Sequence, residues 1–339
     1  MNRRGFLVGG HWIVDRLKQV DLYPREEGLA VISEESRAGG GGAFNVAKDL
    51  SRMNVGLPVD GIGLLGDDED GRWTLEECRT HGVGTEQIKR LSGVPTSYTD
   101  VFTVSGTGKR TFFTSKGACA KLGEKDFDFT VSNAKVFYLA YLGMLDGLDA
   151  KCPREQLPQS AKVLRRAGGA GMLTAVDLVS IGDDFALAVE PCLPLVDYFF
   201  ANDFEAEKLT GVAIGGKSGA SLASALEEAA RKIVAKGVRK ACILHVPAGA
   251  VAVTPDGKAI KQGSVQVDPS KIKGSTGCGD AFAAGVLYGV HEQFDLLAAL
   301  ELGVSVAARC LLSASSSESI TDWKVCLSEA RQQGFRKDF

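Results

Sequence analysis

Apolar runs of strand length alternate with amphipathic stretches of helical length along most of the chain, the pattern of a mainly parallel sheet covered by helices on both faces. The runs predict core strands over residues 5–9, 59–65, 136–142, 172–177, 198–202 and 241–246. Helical periodicity falls over 44–53, 71–81, 154–167, 220–236, 279–290, 296–312 and 321–332. Two segments break the rhythm. One runs over 12–36; the other, over 96–104, is β-branched and aromatic and turns at Ser105-Gly106-Thr107-Gly108 into Lys109-Arg110-Thr111-Phe112-Phe113, the signature of a hairpin. The predicted fold is therefore α/β, a doubly wound mainly parallel sheet flanked by helices, with a small β-sheet lid. Residues 1–10, 43–95 and 121–339 would form the core. Residues 11–42 and 96–120 would form the lid, above the carboxyl ends of the strands where open α/β sheets bind ligands.

Composition narrows the classes. With 339 residues, 45% hydrophobic and 24% charged, the chain can bury a large core. Lys+Arg is 39 against Asp+Glu 42, a formal net charge of -3, with no basic run, so nucleic acid is not an expected partner. The start, Arg3-Arg4 followed by Gly5-Phe6-Leu7-Val8, imitates a signal peptide, but Gly9, Gly10 and His11 interrupt the apolar run, and it reads as a first strand. No window reaches the roughly 18 apolar residues of a membrane span. Eight scattered cysteines without a CxxC pair fit buried thiols in a reducing compartment. The expectation is a cytoplasmic protein with no membrane partner.

Three matches to familiar motifs fail in context. Gly211-Val212-Ala213-Ile214-Gly215-Gly216-Lys217-Ser218 satisfies the Walker A pattern, but a P-loop needs a buried strand before it. The preceding Phe204-Glu205-Ala206-Glu207-Lys208-Leu209-Thr210 is polar and helical in pattern, so the run reads as a connection between surface helices. Gly61-Ile62-Gly63-Leu64-Leu65-Gly66 matches G-x-G-x-x-G, yet Asp67-Asp68-Glu69-Asp70 follow and would repel a pyrophosphate. That acidic run also overlaps an EF-hand pattern, but a strand leads into it. It reads as a strand end and an acidic helix start, favoured by the helix dipole.

Two glycine-rich elements remain. Lys273-Gly274-Ser275-Thr276-Gly277-Cys278-Gly279-Asp280 leads into a helix of small and apolar residues. Free N–H groups at the positive end of that helix make an anion hole suited to a phosphoryl group in transfer. Asp280 in the first turn could take the proton of an attacking hydroxyl. Alone, the run is equally a glycine-rich turn with Asp280 as a helix-start charge. The second element, Ala38-Gly39-Gly40-Gly41-Gly42-Ala43-Phe44-Asn45, lets backbone approach a ligand, and Asn45 offers a donor and an acceptor to sugar hydroxyls. It could also be a flexible hinge.

These two elements, in this order, resemble the signatures of the PfkB family of carbohydrate kinases, also called ribokinase-like. Gly41-Gly42 with Asn45 is similar to the amino-terminal signature, and Gly274-Ser275-Thr276-Gly277-Cys278-Gly279-Asp280 to the carboxyl-terminal D-T-x-G-A-G-D. Asn202-Asp203-Phe204-Glu205 is similar to the family's N-x-x-E, and Asp15 to its substrate-binding acid. The resemblance implies an ATP-dependent kinase of a small sugar, with Asp280 as catalytic base and the N–H groups of Gly277, Cys278 and Gly279 as anion hole. Asp15, Gly41, Gly42 and Asn45 would bind the sugar, and Asn202 and Glu205 would organise Mg2+ through water. A homodimer joined through exposed lid edges is a further expectation.

The sequence also departs from the pattern. Gly274 replaces the signature's leading Asp and Cys278 its Ala; Cys119 stands where many members have Asn; His245-Val246-Pro247 replaces Thr-x-Gly. Base rates make His11 and His245 structural. Selectivity would rest on lid side chains such as Trp12, Phe102 and Phe113. Alternatives are a nucleoside kinase of the same fold, a ligand-binding regulator with weak catalysis, and a P-loop NTPase using Lys217.

Overall fold

The computed structural model describes residues 3–152, 155–180, 185–313 and 315–339. Its elements in order are β1 (Phe6–Gly10), β2 (Ile13–Val20), β3 (Ile32–Gly40), α1 (Gly42–Arg52), β4 (Val59–Gly66), α2 (Glu69–Thr80), β5 (Gly84–Leu91), β6 (Tyr98–Val104), β7 (Arg110–Ser115), β8 (Val136–Leu142), α3 (Asp146–Asp149), α4 (Gln159–Gly169), β9 (Leu173–Leu178), α5 (Ala186–Val189), β10 (Tyr198–Asn202), α6 (Asp203–Thr210), α7 (Gly219–Ala235), β11 (Ala241–Val246), β12 (Gly249–Val253), β13 (Ala259–Gly263), α8 (Cys278–His291), α9 (Leu296–Cys310) and α10 (Trp323–Gln333).

Nine strands form one sheet in the order β13-β12-β11-β10-β9-β8-β1-β4-β5. All neighbours are parallel except at the β11-β12-β13 edge, where a hairpin runs antiparallel. Phe6-Leu7-Val8-Gly9-Gly10 is buried throughout because β1 lies between β4 and β8 with layers on both faces. On one face α1, α8 and α9 pack around Phe44, Leu50, Phe282 and Leu302. On the other, α4 and α7 cover Phe137, Val176 and Phe199. The chain winds outward from β1 in both directions, so the strand order reverses beside it, the position at which open α/β sheets open a crevice.

The small sheet has the order β3-β2-β6-β7. Two antiparallel pairs, β2 with β3 and β6 with β7, are joined by a parallel pairing of β2 with β6. Trp12 does not belong to a ligand face. Its indole is fully buried, donates to the Ile62 carbonyl at 3.0 Å, and fills the space that side chains at Gly61 and Gly63 would occupy, 2.6 and 2.3 Å away. The G-x-G-x-x-G run is thus a socket for an aromatic ring.

The expected strands and helices recur with shifts of a few residues. The helix predicted from residue 154 begins at Gln159, after Pro158; residue 154 itself lies outside the described residues, as does residue 153. Strands β5, β12 and β13, at or next to the sheet edges, and the strands of the 12–36 segment were not resolved by periodicity. The Walker-like run connects α6 to α7 with Gly211 in the left-handed region. There the Glu207 carboxylate accepts from the N–H groups of Ile214 and Gly215 at 2.9 and 3.0 Å. Those donors are held by a carboxylate, and no strand precedes the loop. Asp68 caps α2 by accepting from Gly71 at 2.8 Å, and Asp70 pairs with Arg16 at 2.8 Å, a structural use of the acidic run. Among the described residues no helix is long and apolar enough to cross a membrane.

Candidate active site

A row of side chains stands where the central strands end. Tyr141 comes from β8, Asp177 from β9, Asn202 from β10 and His245 from β11. All four line a cavity of about 660 Å3 between the large and small sheets, which also takes in Asp15, Gly41, Asn45, Glu205, Thr276, Gly277, Gly279 and Asp280. A second cavity of about 460 Å3 adjoins it. It is lined by Val246, Val265, Ile272, Cys278, Phe282 and Leu311, and shares Asn202, His245 and Gly279 with the first. The parallel strands place these ends side by side, so groups far apart in sequence meet across one crevice.

Asp280 lies in the first turn of α8 and is only 5% exposed. Asn45 Nδ2 donates to its Oδ2 at 2.8 Å, and the Tyr141 hydroxyl stands 2.8 and 2.9 Å from its two oxygens. Burial raises the carboxyl and these two donors pull it back, leaving it at about 6. Such a group is ionised at neutral pH yet basic enough to accept a hydroxyl proton. Gly277 precedes it at φ 76°, and a side chain there would meet Ser316 Cβ at 2.4 Å, so the turn that aims the loop's N–H groups requires glycine. Arg110 reaches across from β7 and donates to Thr276 Oγ1 of the same loop.

The remaining sequence candidates divide by what holds them. Asp15 faces the larger cavity, and among the described residues its carboxyl has no hydrogen-bond partner. Burial, then the Asp280 charge, raises it to about 7. Gly41 lines the cavity, whereas Gly42 packs beneath Ala140 and Tyr141, where a Cβ would lie 2.6 and 2.8 Å from their atoms. Asn45 has its amide engaged on both ends, Ser316 Oγ donating to Oδ1 at 3.0 Å and Nδ2 committed to Asp280. It orients the acid in this arrangement.

Asn202 and Glu205 form a capping box on α6: Asn202 Oδ1 accepts from the Glu205 N–H at 2.9 Å and Glu205 Oε2 from the Asn202 N–H at 2.8 Å, which satisfies two helix-start donors. Glu205 is 2% exposed, takes a further hydrogen bond from Ser180, and is raised to about 7, by burial above all. No cluster of three or more metal-ligating side chains occurs among the described residues. Any fit for Mg2+ would therefore be an outer one, with Glu205 and Asn202 at the cavity wall, as suits a cation that keeps its waters.

Sequence reasoning missed Tyr141, Asp177 and Arg110, and took His245 for a structural residue. His11 is structural, its buried Nδ1 accepting from the Tyr141 N–H at 3.1 Å. His245 differs: it lines both cavities, packs at a tilt of 41° on Phe282 with centroids 5.1 Å apart, and makes no hydrogen bond to the described residues. A Cβ on Gly279 would be 3.1 Å from its ring, so the imidazole lies against the loop that precedes α8. Burial lowers it to about 4, which leaves one N–H donor and one lone pair at neutral pH. Cys119, in contrast, is buried against the Trp12 backbone and lines neither cavity.

Residues 10–323 match the family described as pfkB family carbohydrate kinase. The chain belongs to that family. Among curated proteins, this pfkB family kinase is 25% identical to 5-dehydro-2-deoxygluconokinase of Clostridium botulinum over 83% of its own length and 80% of the relative's. It is 28% identical to ATP-dependent ribose-1-phosphate kinase of Halopiger xanaduensis over 87% and 88%. Among solved structures, ribokinase of Arabidopsis thaliana complexed with ribose and ATP superposes with a TM-score of 0.77 at 20% identity, covering 98% of this chain and 99% of that one. This pfkB family chain has the ribokinase-like fold and is a phosphotransferase with an alcohol group as acceptor, a sugar or nucleoside kinase.

Proposed function

We propose that the chain transfers the γ-phosphoryl group of ATP to a hydroxyl of a small carbohydrate, with Asp280 as the general base. The observation that carries this reading is the position of Asp280: buried, held by Tyr141 and Asn45, and set at the foot of the anion loop where the two cavities meet. The larger cavity would take the acceptor and the apolar one the nucleotide. As the acceptor oxygen bonds to the γ-phosphorus, its proton passes to Asp280; the bond to the β,γ-bridging oxygen breaks and ADP departs. The N–H groups of Gly277, Cys278 and Gly279 would meet the charge on the equatorial oxygens, Arg110 would add a positive charge from the small sheet, and His245 would donate a hydrogen bond to the phosphate chain. Bound Mg2+ would supply charge neutralisation of the phosphates, with Asn202 and Glu205 as the residues nearest to hold its waters.

Residues 11–42 and 96–120 would act as a lid that excludes water from transfer. The exposed apolar side chains Leu29, Val31 and Ile32 on it support pairing of two copies through the lids, and eight unpaired cysteines support a reducing, cytoplasmic setting. The relatives' names describe different acceptors, so the acceptor is read from this cavity. A nucleoside kinase is favoured by one observation, a cavity roomier than a monosaccharide needs. Neutral sugars and nucleosides assayed with ATP and Mg2+ for ADP release decide between these readings. Release with sugars supports the proposal, release with nucleosides alone supports the second reading, and no release with any acceptor overturns both.

A further inference from the structure

Helices α8 and α9 run antiparallel and meet backbone to backbone. A Cβ on Gly285 would lie 2.8 Å from Gly303 Cα, and one on Gly289 would lie 2.8 Å from Ala299 Cβ, so 285 faces 303 and 289 faces 299. A helix returns to nearly the same face after seven residues. Carried two turns toward the start of α8 and the end of α9, the same register therefore sets Cys278, the first residue of α8, across from Cys310, the last of α9. The contacts at that end agree. Cys310 Sγ lies 2.7 Å from the Ser316 carbonyl oxygen and 3.4 Å from that of Thr276, two residues before Cys278. Cys278 lines the apolar cavity together with Ala307, Ala308 and Leu311, which flank Cys310 on both sides. A hydrogen bond with the Cys278 thiol, ahead of burial, holds the Cys310 thiol above its usual range.

The two thiols differ in access. Among the described residues Cys278 is the one cysteine that is not buried, and it opens on a cavity that a small oxidant can enter. Cys310 is closed in behind the loop that precedes α8. Oxidation favours an accessible thiol, and a second thiol beside it converts the sulfenic acid into a disulfide before further oxidation makes the change irreversible.

We propose that Cys278 is a site of oxidation by hydroperoxides, with Cys310 as the thiol that resolves it. The Cys278 sulfur attacks one oxygen of hydrogen peroxide: an S–O bond forms, the O–O bond breaks, and the departing oxygen leaves as water with the thiol proton. The Cys310 sulfur then attacks the sulfenic sulfur. An S–S bond forms, the S–O bond breaks, and the hydroxyl leaves as a second water with the Cys310 proton. Both thiols are oxidised, and the peroxide is reduced to water. The disulfide ties the first residue of α8 to the last of α9. Its effect on activity rests on the kinase reading above: the Cys278 N–H is one of the three proposed to meet the transferring phosphoryl group, and the tie draws it out of line until a thiol reductant reverses the bond.

The test treats the full-length protein with hydrogen peroxide, blocks the remaining thiols and digests it. Mass spectrometry is expected to find the Cys278 and Cys310 peptides linked, with loss of both thiol hydrogens. In Cys310→Ser, whose hydroxyl can keep the contacts with Thr276 and Ser316, the link should be absent and Cys278 should be trapped by dimedone as the sulfenic acid. ADP release with the best acceptor should fall about a hundredfold on oxidation, the size of losing one anion-hole donor, and return with dithiothreitol. Peroxide that leaves Cys278 unmodified, or modifies it without linking it to Cys310, overturns the inference and leaves the kinase reading intact. The link without loss of ADP release supports the site and overturns the part given to the Cys278 N–H in transfer. No ADP release from the reduced protein overturns the kinase reading, while the link, read by mass, still decides the inference.

Discussion

The hydroxyl of Tyr141 lies 2.8 Å from one carboxylate oxygen of Asp280 and 2.9 Å from the other. A donor in that position favours the charged carboxylate, so it opposes burial and helps hold Asp280 at about 6. In Tyr141→Phe the opposing donor is gone and the carboxyl rises. The base is active when deprotonated, so kcat/KM for the acceptor falls as pH drops through this value. The acid limb of its pH profile should therefore move to higher pH in the variant. An unmoved limb would mean that Tyr141 does not tune the base.

His245 gives a second prediction. His245→Phe keeps the ring contact with Phe282 and the packing against Gly279 but removes both ring nitrogens. A hydrogen bond to a charged phosphate contributes about 1.5–3 kcal/mol, so kcat/KM for ATP should fall about ten- to a hundredfold. The melting temperature should stay near that of the unaltered protein. Steady-state kinetics at saturating acceptor checks this, and unchanged kinetics would return His245 to a packing role.

Lys217 separates this site from the Walker-like run. The loop N–H groups there are held by Glu207, far in sequence from Asp280 and on a connection between two helices. Lys217→Ala should leave kcat and KM for ATP within about twofold. Loss of activity in that variant would restore the P-loop reading.

What the sequence made legible was local. Gly277 and Asp280 stand in one short run, and the turn and helix start that join them are encoded by adjacent residues. Asn202 and Glu205 were singled out by their resemblance to N-x-x-E, itself a local i, i+3 spacing, and the structure shows that spacing closed as a capping box. Tyr141, Asp177 and His245 converge only because β8, β9, β10 and β11 lie side by side in register, and no local pattern fixes strand order. Trp12 was misjudged because its burial depends on Gly61 and Gly63, about fifty residues away. Strand β5, Gly84-Thr85-Glu86-Gln87-Ile88-Lys89-Arg90-Leu91, sits at the sheet edge, where polar side chains face solvent and the apolar signal fades.

The central claim is that Asp280 takes the acceptor's proton, and Asp280→Asn tests it most directly. The amide keeps the size of the side chain while removing the base, and general base catalysis contributes about 10²–10⁴-fold. With ATP, Mg2+ and the best acceptor found, kcat should fall at least about a hundredfold, while acceptor affinity measured by titration changes little. Turnover within tenfold of the unaltered protein would contradict the account.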